Sequence, residues 1–298
     1  MGKLKLVVPN LTKFDESGNM VLDEEYKNFL EKLVKSGVDV LMPCGTNSEF
    51  HVMSVEERKS LVEFVIDAME DKAEVMPHVG SASYKETKAL ADHAFSLGVN
   101  RVSVVVPYYF VYDEKALINY FTSLAKEFSD REFILYNIPS FAGNTLEVDT
   151  ILKIKEKAPN VVGLKDTATR PWVVSAIKRE VPDFIIYGGN DSMILDYVGR
   201  GADGHVSGSA NVFPKLVRKL LDELEKGNYE QAFSLQVEME EIVKNVTGYK
   251  AFVAANKYAL KAVGFDLGVP RRPNRLLEDN EKHEIDIFLS KVKDWIIT

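Results

Sequence analysis

A lysine at the end of a strongly apolar run is the first residue in this sequence that could do covalent chemistry. Lys165 follows four apolar residues in the segment VVGLKDT. Burial removes water from an ammonium group and favours the neutral amine, which attacks carbonyl carbons and forms Schiff bases. The alternative is a structural lysine whose ammonium reaches solvent or pairs with Asp166.

A tyrosine ends the preceding apolar run, in the segment EFILYNIPS. The phenol of Tyr136 could carry protons to and from a hydroxyl group or a carbinolamine. The alternative is a core tyrosine whose hydroxyl group bonds to the backbone. If the two runs are neighbouring strands, Lys165 and Tyr136 together predict chemistry on a carbonyl compound.

A polar turn follows a third apolar run, in the segment LMPCGTNSEF. The backbone N–H groups of a glycine-led turn can bind a carboxylate, and the hydroxyl of Thr46 could relay a proton. The alternative is a polar loop between a strand and a helix, in which Glu49 is a solvated or structural charge.

Three further runs end in aromatic residues or glycines. The segment VVVPYYF ends in Tyr108, Tyr109 and Phe110, which fit either a subunit contact or core packing. The segments IIYGGND and GADGHVSGSAN carry glycines that allow a ligand to approach the backbone closely. Because these loops hold no basic residue aimed at a phosphate, they favour an uncharged or carboxylate substrate.

The five histidines show no metal-binding spacing, and the sequence contains neither a GxGxxG motif nor a Walker loop. His78 and His205 fall within apolar runs and are interpreted as barrel histidines. We therefore expect no metal and no nucleotide cofactor.

The elements that must position these residues are eight short, nearly continuously apolar runs. Such runs are typical of strands buried on both faces, as in parallel sheets. They are Leu4–Pro9, Val38–Cys44, Glu74–Gly80, Arg101–Pro107, Glu132–Pro139, Val161–Thr167, Phe184–Asn190 and Ala202–Ser209.

The segments between these runs have helical patterns, with capping-box spacing at Ser54 and Ser83. The repeated strand–helix alternation predicts a (β/α)8 TIM barrel over residues 1–225, with an active site at the carboxyl ends of its strands. From about Lys226 only helical patterns follow, so residues 226–298 are predicted to form a C-terminal helical extension.

The composition is that of a globular protein. The chain has 298 residues, 46% of them hydrophobic, and a formal net charge of −8. This acidic balance gives no electrostatic footprint for nucleic acid or anionic lipid. The single Cys44 excludes an intrachain disulfide, and no apolar run reaches the roughly 20 residues of a membrane span. We expect a cytoplasmic protein.

These motifs, in this order and spacing, resemble the N-acetylneuraminate lyase / dihydrodipicolinate synthase superfamily of class I pyruvate aldolases. The matching segments are GTNSEF, PYYF, YNIPS, GLKDT, GGND and GADGHVSGSAN, and they cover essentially the whole chain. The C-terminal GFDLGVPRRP is similar to the closing segment of 2-keto-3-deoxygluconate-type aldolases.

The resemblance implies a role for each matching residue. Lys165 would form the Schiff base with pyruvate or another 2-oxo acid, so that no other cofactor is needed. Tyr136 and Thr46 would relay protons, and Tyr109 would join this relay from a neighbouring subunit of a dimer or tetramer. The positions implied around the substrate are Asn47, Thr167, Gly189, Asn190 and Val206.

Departures from the family pattern narrow the activity. Asn47 and Ser48 replace the second threonine and the glycine of the GTTGE-type motif, and Phe141 stands where dihydrodipicolinate synthases typically place an arginine. A phenyl ring cannot bind a carboxylate as a guanidinium does. The loop after PYYF carries acid and no arginine, which favours a non-phosphorylated sugar acid.

These features predict a lyase that cleaves a 2-keto-3-deoxy sugar acid to pyruvate and an aldehyde such as glyceraldehyde. The alternatives are dihydrodipicolinate synthase, sialic acid lyase, a 2-oxo acid dehydratase and a non-catalytic pyruvate-binding protein. A barrel isomerase with a phosphate site at the last two strands is a further alternative.

Overall fold

The computed structural model describes residues 2–249 and 251–297. Residues 1, 250 and 298 lie outside it. The predicted barrel segment, 1–225, and the predicted helical extension, 226–298, therefore each include at least one residue that the structure does not describe.

Strands and helices alternate along most of the chain. In order they are β1 Lys5–Val8, α1 Glu24–Lys35, β2 Val40–Leu41, α2 Val55–Met69, β3 Glu74–Val75, α3 Tyr84–Ser96, β4 Arg101–Val105, α4 Glu114–Glu127, β5 Glu132–Asn137, α5 Pro139–Ala142, α6 Val148–Lys157, β6 Val161–Asp166, α7 Trp172–Glu180, β7 Ile185–Gly188, α8 Ile194–Gly199, β8 Gly204–Val206, α9 Pro214–Glu225, α10 Tyr229–Ile242, α11 Phe252–Ala262 and α12 Asp279–Leu289. Each predicted apolar run contains one of the eight strands.

The fold is the predicted (β/α)8 barrel with C-terminal helices, and that prediction is confirmed. The observed strands are shorter than the apolar runs, because the last residues of each run already belong to the loop that follows the strand. Among the described residues, no helix combines the length and apolar character that crossing a membrane requires.

The chain divides into two compact units, Met1–Val75 with Ser207–Thr298, and Met76–Val206. In the first unit, β1 pairs with β2 and β2 with β3, all in parallel. Helix α10 continues into a π-helical segment, Val243–Thr247, and α11 packs against α12. The predicted boundary between residues 225 and 226 falls just after α9 and stays a prediction.

The second unit contains the parallel strand order β8-β7-β6-β5-β4. Between β5 and β6 the register shifts by one residue: Phe133 lies opposite Val161, whereas Ile134 lies opposite Gly163. The shift is a bulge at Val162, which has no partner on β5. From there the strands continue in step, so that Tyr136 lies opposite Lys165.

Side-chain caps start the helices where the sequence predicts them. Ser54 and Glu57 form both hydrogen bonds of a capping box at the start of α2. Ser83 accepts a hydrogen bond from the backbone N–H of Glu86 at the start of α3, but the carboxylate of Glu86 accepts from Ser81 Oγ, at 2.7 Å. The second predicted box is therefore only half formed.

Gly163, next to the bulge, has no room for a side chain. A Cβ atom there would overlap the carbonyl oxygen of Ile185 and lie 2.7 Å from Cδ1 of Ile134. The backbone of β6 can therefore keep its distance from β7 only with glycine at this position.

We expect Gly163→Ala to lower the free energy of unfolding by about 1–3 kcal/mol, the usual cost of overpacking a core. The matched control is Gly199→Ala in the same unit, because nothing lies within 4 Å of a Cβ at that position. Urea unfolding measures both variants. A Gly163→Ala protein as stable as the control would contradict this reading of the bulge.

Candidate active site

Lys165 and Tyr136 lie side by side on β6 and β5. Both side chains are buried, with 4% and 1% of their surfaces exposed. The Nζ atom of Lys165 lies 3.8 Å from the centroid of the Tyr136 ring. In the part of the chain that the structure describes, no carboxylate forms an ion pair with this amine.

Asp166 does not pair with Lys165, contrary to the alternative in which Lys165 is a structural lysine held by this carboxylate. Its carboxylate accepts hydrogen bonds from Asn137 Nδ2, at 2.7 Å, and from the hydroxyl of Tyr197, at 2.8 Å. Burial raises the pKa of Asp166, against the lowering effect of these two donors. Adjacent residues of a strand point to opposite faces, which separates the Asp166 carboxylate from the amine.

Gly189 lies next to both Thr167 and the stem of Lys165. The backbone N–H and the Oγ1 of Thr167 both donate to the carbonyl of Asn137, at 2.9 and 3.0 Å. A Cβ atom at Gly189 would lie 3.0 Å from Cγ2 of Thr167 and 3.3 Å from Cε of Lys165. Glycine at position 189 thus leaves the lysine stem its space.

Asn190 and Val206 also lie at the carboxyl ends of strands, Asn190 after β7 and Val206 in β8. Asn190 uses its side-chain oxygen to accept the N–H of Ser192, at 3.1 Å, and so caps the short helical turn that follows β7. Val206 is the last residue of β8 and is buried. The second unit therefore carries seven of the nine predicted site residues: Lys165, Tyr136, Thr167, Gly189, Asn190 and Val206, together with Tyr109.

Thr46 and Asn47 lie in the first unit, in the turn after β2. The turn is tight: the N–H of Ser48 donates to the carbonyl of Gly45, at 3.1 Å, and the N–H of Glu49 to that of Thr46, at 3.0 Å. The Nδ2 of Asn47 lies 3.4 Å from the carbonyl oxygen of Gly208, which occupies one of the amide hydrogens.

Glu49, at the end of this turn, is a structural charge and not a solvated one. Its carboxylate is fully buried and lies 3.2 Å from Nζ of Lys257. The other carboxylate oxygen accepts from the backbone N–H of Arg271 and from Nδ2 of Asn274, both at 2.8 Å. Burial lowers the pKa of Lys257 to about 8, against the opposing charge of Glu49.

Sequence reasoning missed Lys257, Arg271 and Asn274. The only local signal is Lys257 within the otherwise apolar face of α11, and nothing near it in sequence carries the opposite charge. The partner of Lys257 is Glu49, which lies far away in the chain. Glu49 also comes 222 residues before Arg271, which donates to it.

Tyr109 points away from the second unit into solvent. Its side chain is 89% exposed and its backbone has φ of +85°, the left-handed region that non-glycine residues rarely adopt. The neighbouring Phe110 and Val111 are exposed as well. The structure thus excludes core packing for Tyr109, and the predicted subunit contact stays a prediction.

The described residues contain no group of three or more His, Cys, Asp and Glu side chains that could hold a metal ion. His205 Nε2 lies 3.1 Å from Asp191, and no third ligand joins this pair.

Comparison with known proteins identifies relatives over nearly the full length. The model of the Dihydrodipicolinate synthetase family matches residues 3–292. An uncharacterized DapA-like lyase of Halobacterium salinarum is 31% identical, over 97% of this chain and 94% of that protein. An N-acetylneuraminate lyase of Lactiplantibacillus plantarum is 27% identical, over 92% of each chain.

Solved structures agree. The chain is similar to dihydrodipicolinate synthase from Aquifex aeolicus, with a TM-score of 0.92 and 26% identity over 99% of this chain and 100% of that one. It is also similar to YagE, a prophage protein of the dihydrodipicolinic acid synthase family from E. coli K12 in complex with pyruvate. That match has a TM-score of 0.91 and 26% identity, over 98% and 99% of the two chains.

We expect Lys257→Met to lower the free energy of unfolding by about 3–5 kcal/mol, because it leaves the buried carboxylate of Glu49 without its cation. Lys261→Met is the matched control on the same helix. Its exposed pair with Asp266 should leave stability almost unchanged. Urea unfolding at pH 7 measures both variants, and equal losses would show that the buried pair has no special weight.

Proposed function

Because the chain belongs to the Dihydrodipicolinate synthetase family, we propose that it cleaves a 2-keto-3-deoxy sugar acid to pyruvate and an aldehyde such as glyceraldehyde, and catalyses the reverse condensation. Members of this family are class I lyases that form a Schiff base between a lysine and pyruvate and need no metal. The observation that carries the proposal is the buried amine of Lys165, which lies against the ring of Tyr136 and pairs with no carboxylate among the described residues.

In this mechanism, the neutral amine of Lys165 attacks the C2 carbonyl carbon of the substrate. The hydroxyl group of Tyr136 gives its proton to the carbinolamine oxygen, which leaves as water, and the remaining protonated imine withdraws electrons from the C3–C4 bond. The phenolate oxygen of Tyr136 takes the proton of the C4 hydroxyl group. The C3–C4 bond then breaks and the aldehyde leaves. The electron pair of the broken bond stays with the pyruvyl fragment on Lys165, which becomes an enamine. Protonation at C3 and hydrolysis release pyruvate and the free amine.

The other positions take the roles that the family resemblance gives them. The turn at Thr46 and Asn47 binds the pyruvyl carboxylate through its backbone N–H groups, and the Thr46 hydroxyl joins the proton relay. Residues around the remainder of the substrate are Thr167, Gly189, Asn190 and Val206. The position of Gly189 next to both Thr167 and the Lys165 stem supports their part in this proposal.

The residues that follow β4 and β5 fit a substrate with a neutral sugar-acid tail better than one with a second carboxylate. Phe141 lies on α5, directly after the strand that carries Tyr136, and 64% of its side chain is exposed. In the loop after β4, Asp113 caps α4 and Glu114 pairs with Lys153 at 2.7 Å. These two acids are held by the protein, and the segment VYDE adds no cation for a phosphate.

A homo-oligomer and a cytoplasmic location complete the proposal. The exposed, left-handed Tyr109 is a costly feature for a monomer, and a neighbouring subunit that uses its hydroxyl would explain it. The alternatives within the family are dihydrodipicolinate synthase, which Phe141 disfavours, and sialic acid lyase. A non-catalytic pyruvate-binding protein would also form the Schiff base, and only turnover separates it from the enzyme.

We expect sodium borohydride with pyruvate to add one reduced pyruvyl group to Lys165 and to inactivate the protein. Lys165→Ala should lose both the adduct and turnover. Lys155→Met is the matched control, because burial lowers the pKa of that lysine, which lies in the same unit, yet the variant should keep the adduct. Intact-mass and peptide mass spectrometry locate the label. An adduct on another lysine, or none, would refute the role of Lys165.

We expect condensation of pyruvate to be faster with glyceraldehyde than with aspartate semialdehyde or N-acetylmannosamine. Phe141→Arg should raise the relative rate with aspartate semialdehyde by about 10-fold, because a guanidinium can bind its carboxylate. Phe141→Leu controls for loss of the ring alone. A wild-type preference for aspartate semialdehyde would favour the synthase over the aldolase.

A further inference from the structure

His78 is a buried residue that the mechanism above does not use. His78 belongs to the second unit and comes shortly after the end of β3 in the chain. Only 1% of its surface is exposed. Its ring stands perpendicular to the ring of Tyr136, with the centroids 5.7 Å apart and an angle of 88° between the planes. Perpendicular aromatic rings at this separation attract each other and resist rotation.

The backbone of β4 fixes the His78 ring in turn. The N–H of Val105 donates to Nε2 of His78, at 3.3 Å. This nitrogen is therefore an acceptor, and the ring carries a proton on Nδ1. Val105 lies opposite Tyr136 in the β4–β5 pairing, so one strand holds both the histidine and the backbone of the tyrosine.

Gly80 makes this approach possible. A Cβ atom at position 80 would lie 2.7 Å from the backbone nitrogen of Val105 and 3.0 Å from Nε2 of His78. A side chain there would push apart the two partners of the hydrogen bond. The contacts thus run without interruption from Val105 through His78 and Tyr136 to the amine of Lys165.

We propose that His78 is a positioning residue, which sets the orientation of the Tyr136 ring so that its hydroxyl serves the intermediate on Lys165. The proposal rests on the function proposed above. His78 acts on the intermediate through the tyrosine. Its loss should slow the proton-transfer steps and leave imine formation at Lys165 largely intact.

The test is a double-mutant cycle between His78 and Tyr136, with folding checked by urea unfolding. His78→Ala should lower kcat by about 10- to 100-fold, the range expected when a catalytic group is misplaced by about 1 Å. Its KM for pyruvate and its borohydride labelling at Lys165 should stay within about twofold of wild type. In a Tyr136→Phe background, the same change should cost less than about threefold, because no hydroxyl remains to be positioned.

His78→Phe keeps an aromatic ring at this position but loses both ring nitrogens, including the acceptor for Val105, and its kcat should fall between those of His78→Ala and wild type. It also carries the test if the alanine variant does not fold. His93→Ala, on α3 of the same unit, is the control and should leave kcat unchanged.

An unchanged kcat in folded His78 variants, or equal costs with and without the Tyr136 hydroxyl, would overturn the positioning role, while labelling and turnover of the wild type would uphold the aldolase. No label on the wild type would overturn both proposals.

Discussion

The register between β5 and β6 is the constraint on which the candidate site depends. Without the bulge at Val162, the pairing of Phe133 with Val161 would continue in step and place Tyr136 opposite Leu164. The additional residue moves the lysine into that position. Because side chains alternate along a strand, the same step decides which face of β6 carries the amine and which carries Asp166. The chemistry therefore begins with a backbone irregularity.

Much of this arrangement is readable from the sequence, because it follows from strand order. Parallel strands that are consecutive in the chain tend to be neighbours, and their carboxyl ends lie on one side. The residues that end two consecutive apolar runs, Tyr136 and Lys165, are therefore expected to meet. The length of each strand is less predictable, since loop residues after a strand are often as apolar as the strand itself.

The features that sequence reasoning missed depend on the position of single atoms. Asp166 stands next to Lys165 in the chain, yet it is bound by Asn137 and Tyr197, one of them on the strand β5 and the other on α8. The orientation of His78 depends on a backbone N–H in another strand and on the missing side chain of Gly80. Neither periodicity nor a motif carries such information, because both involve groups far apart in the chain.

The buried pair of Glu49 and Lys257 has a consequence for how the chain is made. Glu49 leaves the ribosome well before Lys257 and the segment around Arg271 have been synthesised. A carboxylate cannot give up its water before a cation and donors replace it. The turn that contains Thr46 and Asn47 must therefore stay hydrated on the nascent chain, and it reaches its final form only after those later residues have been added.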